Sequence, residues 1–484
     1  MSDKIKTCST GSMVTYSFGE CANSLTMNTI FGFAMFYYTE ALGLSFSLAG
    51  LAMMIATIWD AVSDPIMGFV TDNTKSRFGK RHPYILFGGL MMALSFYFIW
   101  AVPDVFKTSN IVLFGYLVVM NLFLRTAITV FIIPYTALGF EMCSDYYGRT
   151  KLQSIRNILN MAANVAGPGL AWLIFFPEIE GREIRAKSVA QNYVNMGTIF
   201  TIAIVLSVIV VVYFTRKYIV NSKNTENSEA SGSNIKYFLI DMKEILFDVN
   251  SKWMFLYIFV VVLGIVLVSS LQIYLYEHFM LFSGLQKTIA HSSSMVGSGI
   301  GAIMAVHIVK RLDKKKAVYF AVIWAFCCNL ILAIFYLGKI LNTSTSLDLG
   351  FFQIPIGFIV FVIFHAGYWL GNGIMFPIAT SMMADVSEVN EIKTGVNKDG
   401  GYSAVFSLAM KLSMSVGLFL SGIFMSAIGF VAGSEEPQSP EAIWRLCLLT
   451  LIAGPVVSIF ALIFISKYPI NSLFLQKLRL GERV

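Results

Sequence analysis

The sequence predicts an all-α membrane protein of twelve transmembrane helices in two six-helix halves. Of its 484 residues, 56% are hydrophobic and only 13% are charged, about half the charged fraction of a typical soluble protein. Uncharged apolar runs longer than about 18 residues recur, as in 84–103, 191–215 and 253–276. A polar stretch near the middle of the chain divides these runs six and six.

The spans follow one another with short polar connections. We predict them at 16–38, 45–70, 84–103, 110–140, 152–177, 191–215, 253–280, 288–309, 317–338, 350–383, 402–431 and 442–466. Several are longer than the roughly 20 residues that a straight crossing needs, which indicates tilted helices or helices that extend beyond the bilayer.

Loop charges predict that both termini lie in the cytoplasm. With that orientation, 25 of the 35 Lys and Arg residues fall on the cytoplasmic side, seven fall outside, and three lie at membrane depth. Cytoplasmic loops of membrane proteins carry such an excess of positive charge. The net charge of +7 therefore reflects topology, and we expect no nucleic-acid partner. The chain is expected to be a multi-pass protein of the cell membrane, the inner membrane in a bacterium.

The polar segment 216–252 predicts the domain organisation. It is rich in Ser and Asn and has no apolar run, which is typical of a flexible linker. We therefore predict a six-helix bundle at 1–215, a cytoplasmic linker at 216–252, and a second bundle with a cytoplasmic tail at 253–484. Two similar halves are typical of transporters built from repeats.

Two aspartates in the second span form the first candidate site. Asp60 and Asp64 are four residues apart, so their side chains lie about 40° apart around a helix and share one face. Charged groups at membrane depth are costly and usually functional. Hard cations such as Na⁺ bind several oxygen ligands, which carboxylates supply. The alternative is a structural pair that caps a loop or binds a nearby lysine.

Three cations also lie at membrane depth: Arg125, Arg156 and Lys411. Lys411 lies too far inside its span to reach the surface easily, so we favour a movable counter-ion to the aspartates. Arg125 lies one turn before Thr129 in the fourth span. A structural pair with Glu20 and contact with an anionic substrate are equally good interpretations of Arg125, because guanidinium groups favour carboxylate or phosphate.

Several motifs resemble the glycoside–pentoside–hexuronide:cation symporter family, the melibiose-permease-like branch of the major facilitator superfamily. They are FYYTEALGLS (36–45), WDAVSDP and the TD and GKRHP segments after it (59–83), IPYTALGFEM (133–142), GRTKLQSIR (148–156), MADVSEVNEIKTG (383–395) and AVFSLAMKL (404–412). The resemblance covers nearly the whole chain and implies the major facilitator fold and secondary active transport driven by Na⁺, H⁺ or Li⁺. It places Asp60, Ser63, Asp64 and Thr129 at the family's cation site, Lys411 beside that site, and Arg156 in contact with substrate.

The chain departs from the family pattern at three positions. Ser63 stands where the family often has Asn, which removes an amide carbonyl and leaves the choice between Na⁺ and H⁺ open. Ser24 and Ile132 stand where galactoside transporters of the family have aspartates. Because carboxylates hold sugar hydroxyls well, these substitutions argue against a neutral galactoside and favour a uronide, a sulfated sugar or an amphiphile such as a lysophospholipid.

Aromatic residues and charged span ends complete the candidate set. Trp369 and Phe376 are candidates for stacking against the substrate, although most aromatics in such a chain pack or lie at interfaces. Charged residues at the cytoplasmic ends of spans are candidates for gate ion pairs, with Glu141 and Asp385 expected to pair with the nearby arginines. The gate set is Asp72, Arg77, Arg81, Glu141, Arg149 and Asp385.

Together these observations predict a cation-coupled symporter that works by alternating access. We expect a monomer whose partners are a small-molecule substrate and the lipid bilayer, with Na⁺ as coupling ion, H⁺ or Li⁺ as alternatives, and no other cofactor. An uncoupled uniporter and a sodium-dependent lysophospholipid transporter are the alternative functions. We do not expect an enzyme, because no Ser/His/Asp array, HExxH motif or phosphate-binding glycine loop occurs in an aqueous segment.

Overall fold

A computed structural model describes residues 8–72, 74, 76, 78–142, 146–176, 189–218, 242–249, 251–340, 346–348, 353–396, 398–434 and 436–480. By its internal contacts the chain separates into two compact units. The first comprises Met1–Ala230, Ser283–Thr288 and Val431–Pro437, and the second comprises Ser231–Phe282, Ile289–Phe430 and Gln438–Val484. Most of the predicted linker 216–252 lies outside the described residues, so the predicted domain boundaries stay a prediction.

In its described residues, the first unit contains seven α-helices. They are α1 (Thr10–Thr29), α2 (Phe46–Asp72), α3 (His82–Trp100), α4 (Asn110–Met142), α5 (Tyr146–Asn164), α6 (Leu170–Phe175) and α7 (Ala190–Thr215). Two wider turns, Ile30–Ala34 and Tyr37–Ala41, prolong α1. A third, Val165–Gly169, joins α5 to α6, so that these two form one crossing.

The second unit contains the remaining helices. They are a short α8 (242–247), α9 (Lys252–Tyr274), α10 (Gly284–Leu337), α11 (Ile356–Thr394), α12 (Asp399–Ala427), α13 (Pro440–Leu448), α14 (Gly454–Ser466) and α15 (Ser472–Arg479). Leu275–Phe279 prolongs α9, and Leu449–Ala453 joins α13 to α14. A hairpin of β1 (Ser346–Asp348) and β2 (Gln353–Pro355) precedes α11, and its strands pair antiparallel with Leu347 opposite Ile354.

The predicted twelve-helix fold is confirmed. Ten helices of the described chain are long and apolar enough to cross a membrane. One of them, α10, joins two helical segments, 284–312 and 314–337, at a kink at Asp313, and at 1.5 Å per residue each segment is long enough to cross a core about 30 Å thick. The twelfth is α1, whose first turns are polar and which its wider turns prolong.

The second unit differs in detail from the predicted spans. Spans eight and nine lie on the two sides of Asp313, where α10 is kinked and the backbone is not helical (φ 65°, ψ 161°). This conformation is rare outside glycine, and it falls in the predicted connection between the two spans, 310–316. Span ten begins at Ile356 and not at 350, because β2 ends in Pro355, which stands at the N-cap of α11.

Close packing of α3 on α4 positions the candidate site in the first unit. Gly88 of α3 lies so near α4 that an added Cβ would be 2.7 Å from the backbone N of Phe131. Phe131 is fully buried and stacks on Tyr135. The absence of a side chain at Gly88 therefore lets the two helices approach at the level of Thr129, which faces α2.

Candidate cation site

The middle of α2 carries the two predicted carboxylates. Asp60 and Ser63 are buried, each with 8% of its surface exposed, and Asp64 is partly buried. Trp59 lies at the edge of this face: it is 42% exposed, and its indole N–H donates to the hydroxyl of Thr126 on α4 at 2.8 Å. This bond from α2 to α4 fixes the rotation of α2, so that Asp60 and Asp64 face inward, towards α4.

Thr129 of α4 joins the two carboxylates. Its hydroxyl lies 2.9 Å from Oδ1 of Asp64 and 3.4 Å from Oδ1 of Asp60. It is also 3.1 Å from the hydroxyl of Ser63. Thr129 is 1% exposed. The structure thus brings together the four residues that the resemblance assigned to a cation site, and their oxygens suit a small hard cation.

Arg125 lies at the same site. Its Nη1 is 3.8 Å from Oδ2 of Asp60 and 3.3 Å from the sulfur of Met27. Among the buried polar atoms of the described chain, its Nε has no hydrogen-bond partner. The structure does not form the expected pair between Arg125 and Glu20. Glu20 binds Arg156 instead, and Arg125 adds a positive charge beside Asp60.

Lys411 lies in the second unit, within α12. It is partly buried, and its carbonyl accepts a hydrogen bond from Ser415 one turn later. Its predicted role as counter-ion to the aspartates stays a prediction. Among the described residues, no three His, Cys, Asp or Glu side chains gather into a metal-binding group.

A second polar group connects α1 and α5, and we call Glu20, Ser24, Asn28, Arg156 and Asn160 the polar seam. Arg156 donates to Glu20 Oε2 from Nη2 at 2.7 Å and from Nε at 3.2 Å. Asn160 donates to Oε1 of Glu20 at 3.3 Å. Ser24 donates to the Asn160 carbonyl at 3.4 Å and accepts from Asn28 at 2.9 Å.

Aromatic rings cover one side of the polar seam. The Arg156 guanidinium lies 5.2 Å from the centre of the Tyr135 ring, which stacks on Tyr16 at 4.4 Å. Glu20 and Arg156 each keep 13% of the side chain exposed. The predicted substrate positions Ser24 and Arg156 are therefore joined by Glu20, whose role in this group the sequence did not reveal because the pair spans 136 residues.

The other predicted substrate residues lie elsewhere. Ile132 is partly buried on α4, one turn after Thr129. Trp369 and Phe376 are partly buried on α11 of the second unit. The indole nitrogen of Trp369 is buried without a hydrogen-bond partner among the described residues, whereas Tyr368 and His365 contact its ring. Their role in substrate binding stays a prediction.

The predicted gate residues form two ion pairs, one in each unit. Arg81 donates to Glu141 at 3.1 Å and to the Thr71 hydroxyl at 2.9 Å, a pairing that the sequence analysis anticipated. Asp385 pairs with Lys314, which binds both its oxygens, at 2.5 and 2.7 Å. The bend of α10 at Asp313 places Lys314 against α11. Arg77 and the side chains of Asp72 and Arg149 lie outside the described residues.

Comparisons with known proteins agree with this architecture. A family model described as MFS/sugar transport protein matches residues 15–472. The isoprimeverose transporter of Lactiplantibacillus pentosus is 26% identical over 93% of this chain and 87% of that protein. The glucuronide carrier protein homolog of Escherichia coli K12 is 24% identical over 95% and 92%. The inward open xylose transporter XylE from E. coli, at 16% identity, has the same fold, with a TM-score of 0.61 over 97% of this chain and 99% of that chain.

Proposed function

Because the chain belongs to the MFS/sugar transport family, as its motifs predicted, we propose that it is a cation-coupled symporter for a saccharide derivative. The substrate class comprises glycosides and their anionic uronide or sulfated forms. Na⁺ is the proposed coupling ion, with H⁺ and Li⁺ as alternatives. Relatives named as symporters, as an isoprimeverose transporter and as a glucuronide carrier homolog support this choice.

One observation carries the proposal: the Thr129 hydroxyl lies within 3.4 Å of both Asp60 and Asp64 in the core of the first unit. Asp60 is buried and Asp64 partly buried, so these carboxylates repel each other and lose hydration, and beyond the charge that Arg125 offsets their proximity costs free energy unless a cation or proton compensates. A purely structural role would be served equally well by apolar residues. A site that binds and releases a cation explains why the two carboxylates lie close together in spite of this free-energy cost.

The proposed transport cycle follows from the negative charge of Asp60 and Asp64. A cation binds Asp64, Asp60 and the two hydroxyls and releases Lys411, the predicted counter-ion, which reorganises the protein for substrate binding. Only the empty or doubly loaded protein then exchanges between outward and inward states. Each charge that crosses the membrane gains about 2.3 kcal/mol per 100 mV, which supports an accumulation of roughly tens-fold.

The polar seam is the proposed saccharide site. Glu20 supplies a carboxylate one helical turn before Ser24, on the same face of α1, and thereby replaces the aspartate that galactoside transporters of the family have at Ser24. A carboxylate beside a guanidinium can accept from and donate to neighbouring sugar hydroxyls. Since Glu20 already balances Arg156, the arginine does not by itself require an anionic substrate.

The test combines a ligand screen with one substitution. Neutral and acidic saccharides are screened for thermal stabilisation of the purified protein with and without NaCl, and the stabilising saccharide is then used for uptake into proteoliposomes. We expect Asp64→Asn to abolish cation-driven uptake, because one carboxylate of the site is lost. Asp104→Asn, which removes an exposed carboxylate paired with Lys107, is the matched control.

Two results would contradict the proposal. Normal gradient-driven uptake by Asp64→Asn would show that the aspartates serve structure only. Uptake by the wild type that is unchanged after the ion gradients are dissipated would indicate a uniporter. Stabilisation by a lysophospholipid and by none of the saccharides would favour the amphiphile transporter.

A further inference from the structure

We propose that Arg125 is a fixed counter-ion of the cation site and limits its exchangeable charge to that of one monovalent cation. The inference rests on the proposed function and reassigns Arg125, which the sequence placed with the substrate. Its basis is the position of the guanidinium, the buried charges around it, and the contrast with Arg156 on α5.

The position of Arg125 ties it to the carboxylates. It lies one helical turn before Thr129 on α4, with only 7% of its side chain exposed, and its Nη1 is 3.8 Å from Asp60. A guanidinium stays protonated in proteins. Its charge is therefore permanent, and in this buried position it acts on Asp60 with little screening by solvent or salt.

Arg125 compensates charge without binding the carboxylate closely. The distance of 3.8 Å is beyond hydrogen-bond range, and the Nη1 group contacts the sulfur of Met27 instead. Arg156 behaves differently, because it donates two hydrogen bonds to Glu20. Arg125 thus neutralises charge at Asp60 and does not occupy the carboxylate lone pairs that an ion would use.

The net charge of Asp60, Asp64 and Arg125 determines how much positive charge the site can bind and release. With both carboxylates ionised, Asp60 and Asp64 contribute two negative charges and Arg125 one positive charge, which leaves one negative charge on the group. One monovalent cation balances it. Without Arg125 the group would carry a negative charge of two.

The test measures cation binding directly and needs no substrate. Purified protein in proteoliposomes on a solid-supported membrane is exposed to jumps of Na⁺, Li⁺ or H⁺ concentration, and the displaced charge gives the half-saturating concentration. We expect Arg125→Gln to lower that concentration at least about tenfold, because opposite charges at this range alter ionic equilibria by 10- to 1000-fold. Arg125→Lys, which keeps the charge, should stay near the wild-type value.

A second substitution makes the result specific to charge. Asp60→Asn alone leaves the group neutral and should weaken cation binding. The double variant Arg125→Gln/Asp60→Asn restores the single negative charge and should return close to the wild type. Because the double variant removes a charged pair together, it stays informative where Arg125→Gln alone fails to fold. Arg445→Gln, an exposed arginine on α13, controls for loss of any positive charge.

The outcomes separate this inference from the proposed function. A wild type that shows no charge displacement with any of the three cations overturns the proposed function and the inference with it. If the wild type responds, and a folded Arg125→Gln binds its cation equally or more weakly, the inference alone is wrong. A double variant that binds no better than Asp60→Asn would also overturn it.

Discussion

Among the individual residues of the site, Thr129 contacts both carboxylates, those of Asp60 and Asp64, through its hydroxyl. Thr129 has a single proton, which it can donate to Asp64 at 2.9 Å or to Asp60 at 3.4 Å. The Ser63 hydroxyl lies 3.1 Å from the same oxygen, and either of the two hydroxyls can donate to the other. The same atom therefore reduces the repulsion between the carboxylates and adds a neutral ligand to the site.

Thr129→Val is expected to weaken cation binding about ten- to hundredfold, because a hydrogen bond to a charged group contributes about 1.5–3 kcal/mol. Thr129→Ser retains the hydroxyl and should keep most of the affinity. The half-saturating concentration for Na⁺ is the measurement. Thr198→Val is the control, since the Thr198 hydroxyl bonds only the backbone of its own helix, at Val194. Equal affinity of Thr129→Val and the wild type would contradict this role.

The sequence predicted which residues form the candidate sites better than it predicted which of the charged residues pair with each other. The spacing of Asp60 and Asp64 determines that they share a face, and the motifs pointed to Ser63 and Thr129. The partner of Glu20 could not be predicted, because Arg125 and Arg156 lie on two helices at similar depth and only packing decides between them. The bend at Asp313 falls in the predicted connection 310–316, but the pairing of Lys314 with Asp385 depends on how this bend packs against α11, which local sequence does not specify.

At the element scale, the site depends on how closely α3 supports α4. Gly88 and Gly89 of α3 both face neighbouring helices, and an added Cβ at either would approach other atoms to 2.7 Å or less. Any displacement of α4 away from α3 moves Thr129 and Arg125 relative to α2. The geometry of the carboxylates is therefore coupled to packing on the far side of α4.

Gly88→Ala is expected to lower the free energy of unfolding by about 1–3 kcal/mol, the usual cost of overpacking, and to weaken cation binding. Gly115→Ala on α4 is the matched control, because no atom lies within 4 Å of an added Cβ there. Thermal unfolding of the purified variants, together with their half-saturating Na⁺ concentrations, provides the comparison. An unchanged melting temperature for Gly88→Ala would refute the close-packing argument.

At the scale of the whole molecule, twelve apolar helices were predictable because each crossing needs its own apolar run. The limits of the crossings were less predictable. The polar start of α1 depends on neighbouring helices, since a helix can continue beyond the bilayer wherever other elements support it. The hairpin before α11 was not foreseen, because its strands are only three residues each.

Both termini are predicted to face the cytoplasm, which can be tested with single cysteines in a background lacking the six native ones. Lys107→Cys lies in the turn Asp104–Lys107 and Lys217→Cys in the turn Arg216–Tyr218. A membrane-impermeant maleimide should label position 107 in intact cells and position 217 only after permeabilisation. The reverse pattern would show that the chain is inserted in the opposite sense.

The bond between Trp59 and Thr126 has an optical consequence. Trp59 stands one residue before Asp60 and is 42% exposed. Its indole binds Thr126, which follows Arg125 in the sequence. Its emission wavelength and lifetime therefore respond to small rotations of α2, and a variant that retains this one of the seven tryptophans is a built-in fluorophore for ion occupancy. The protein thus offers a real-time spectroscopic signal without any attached dye.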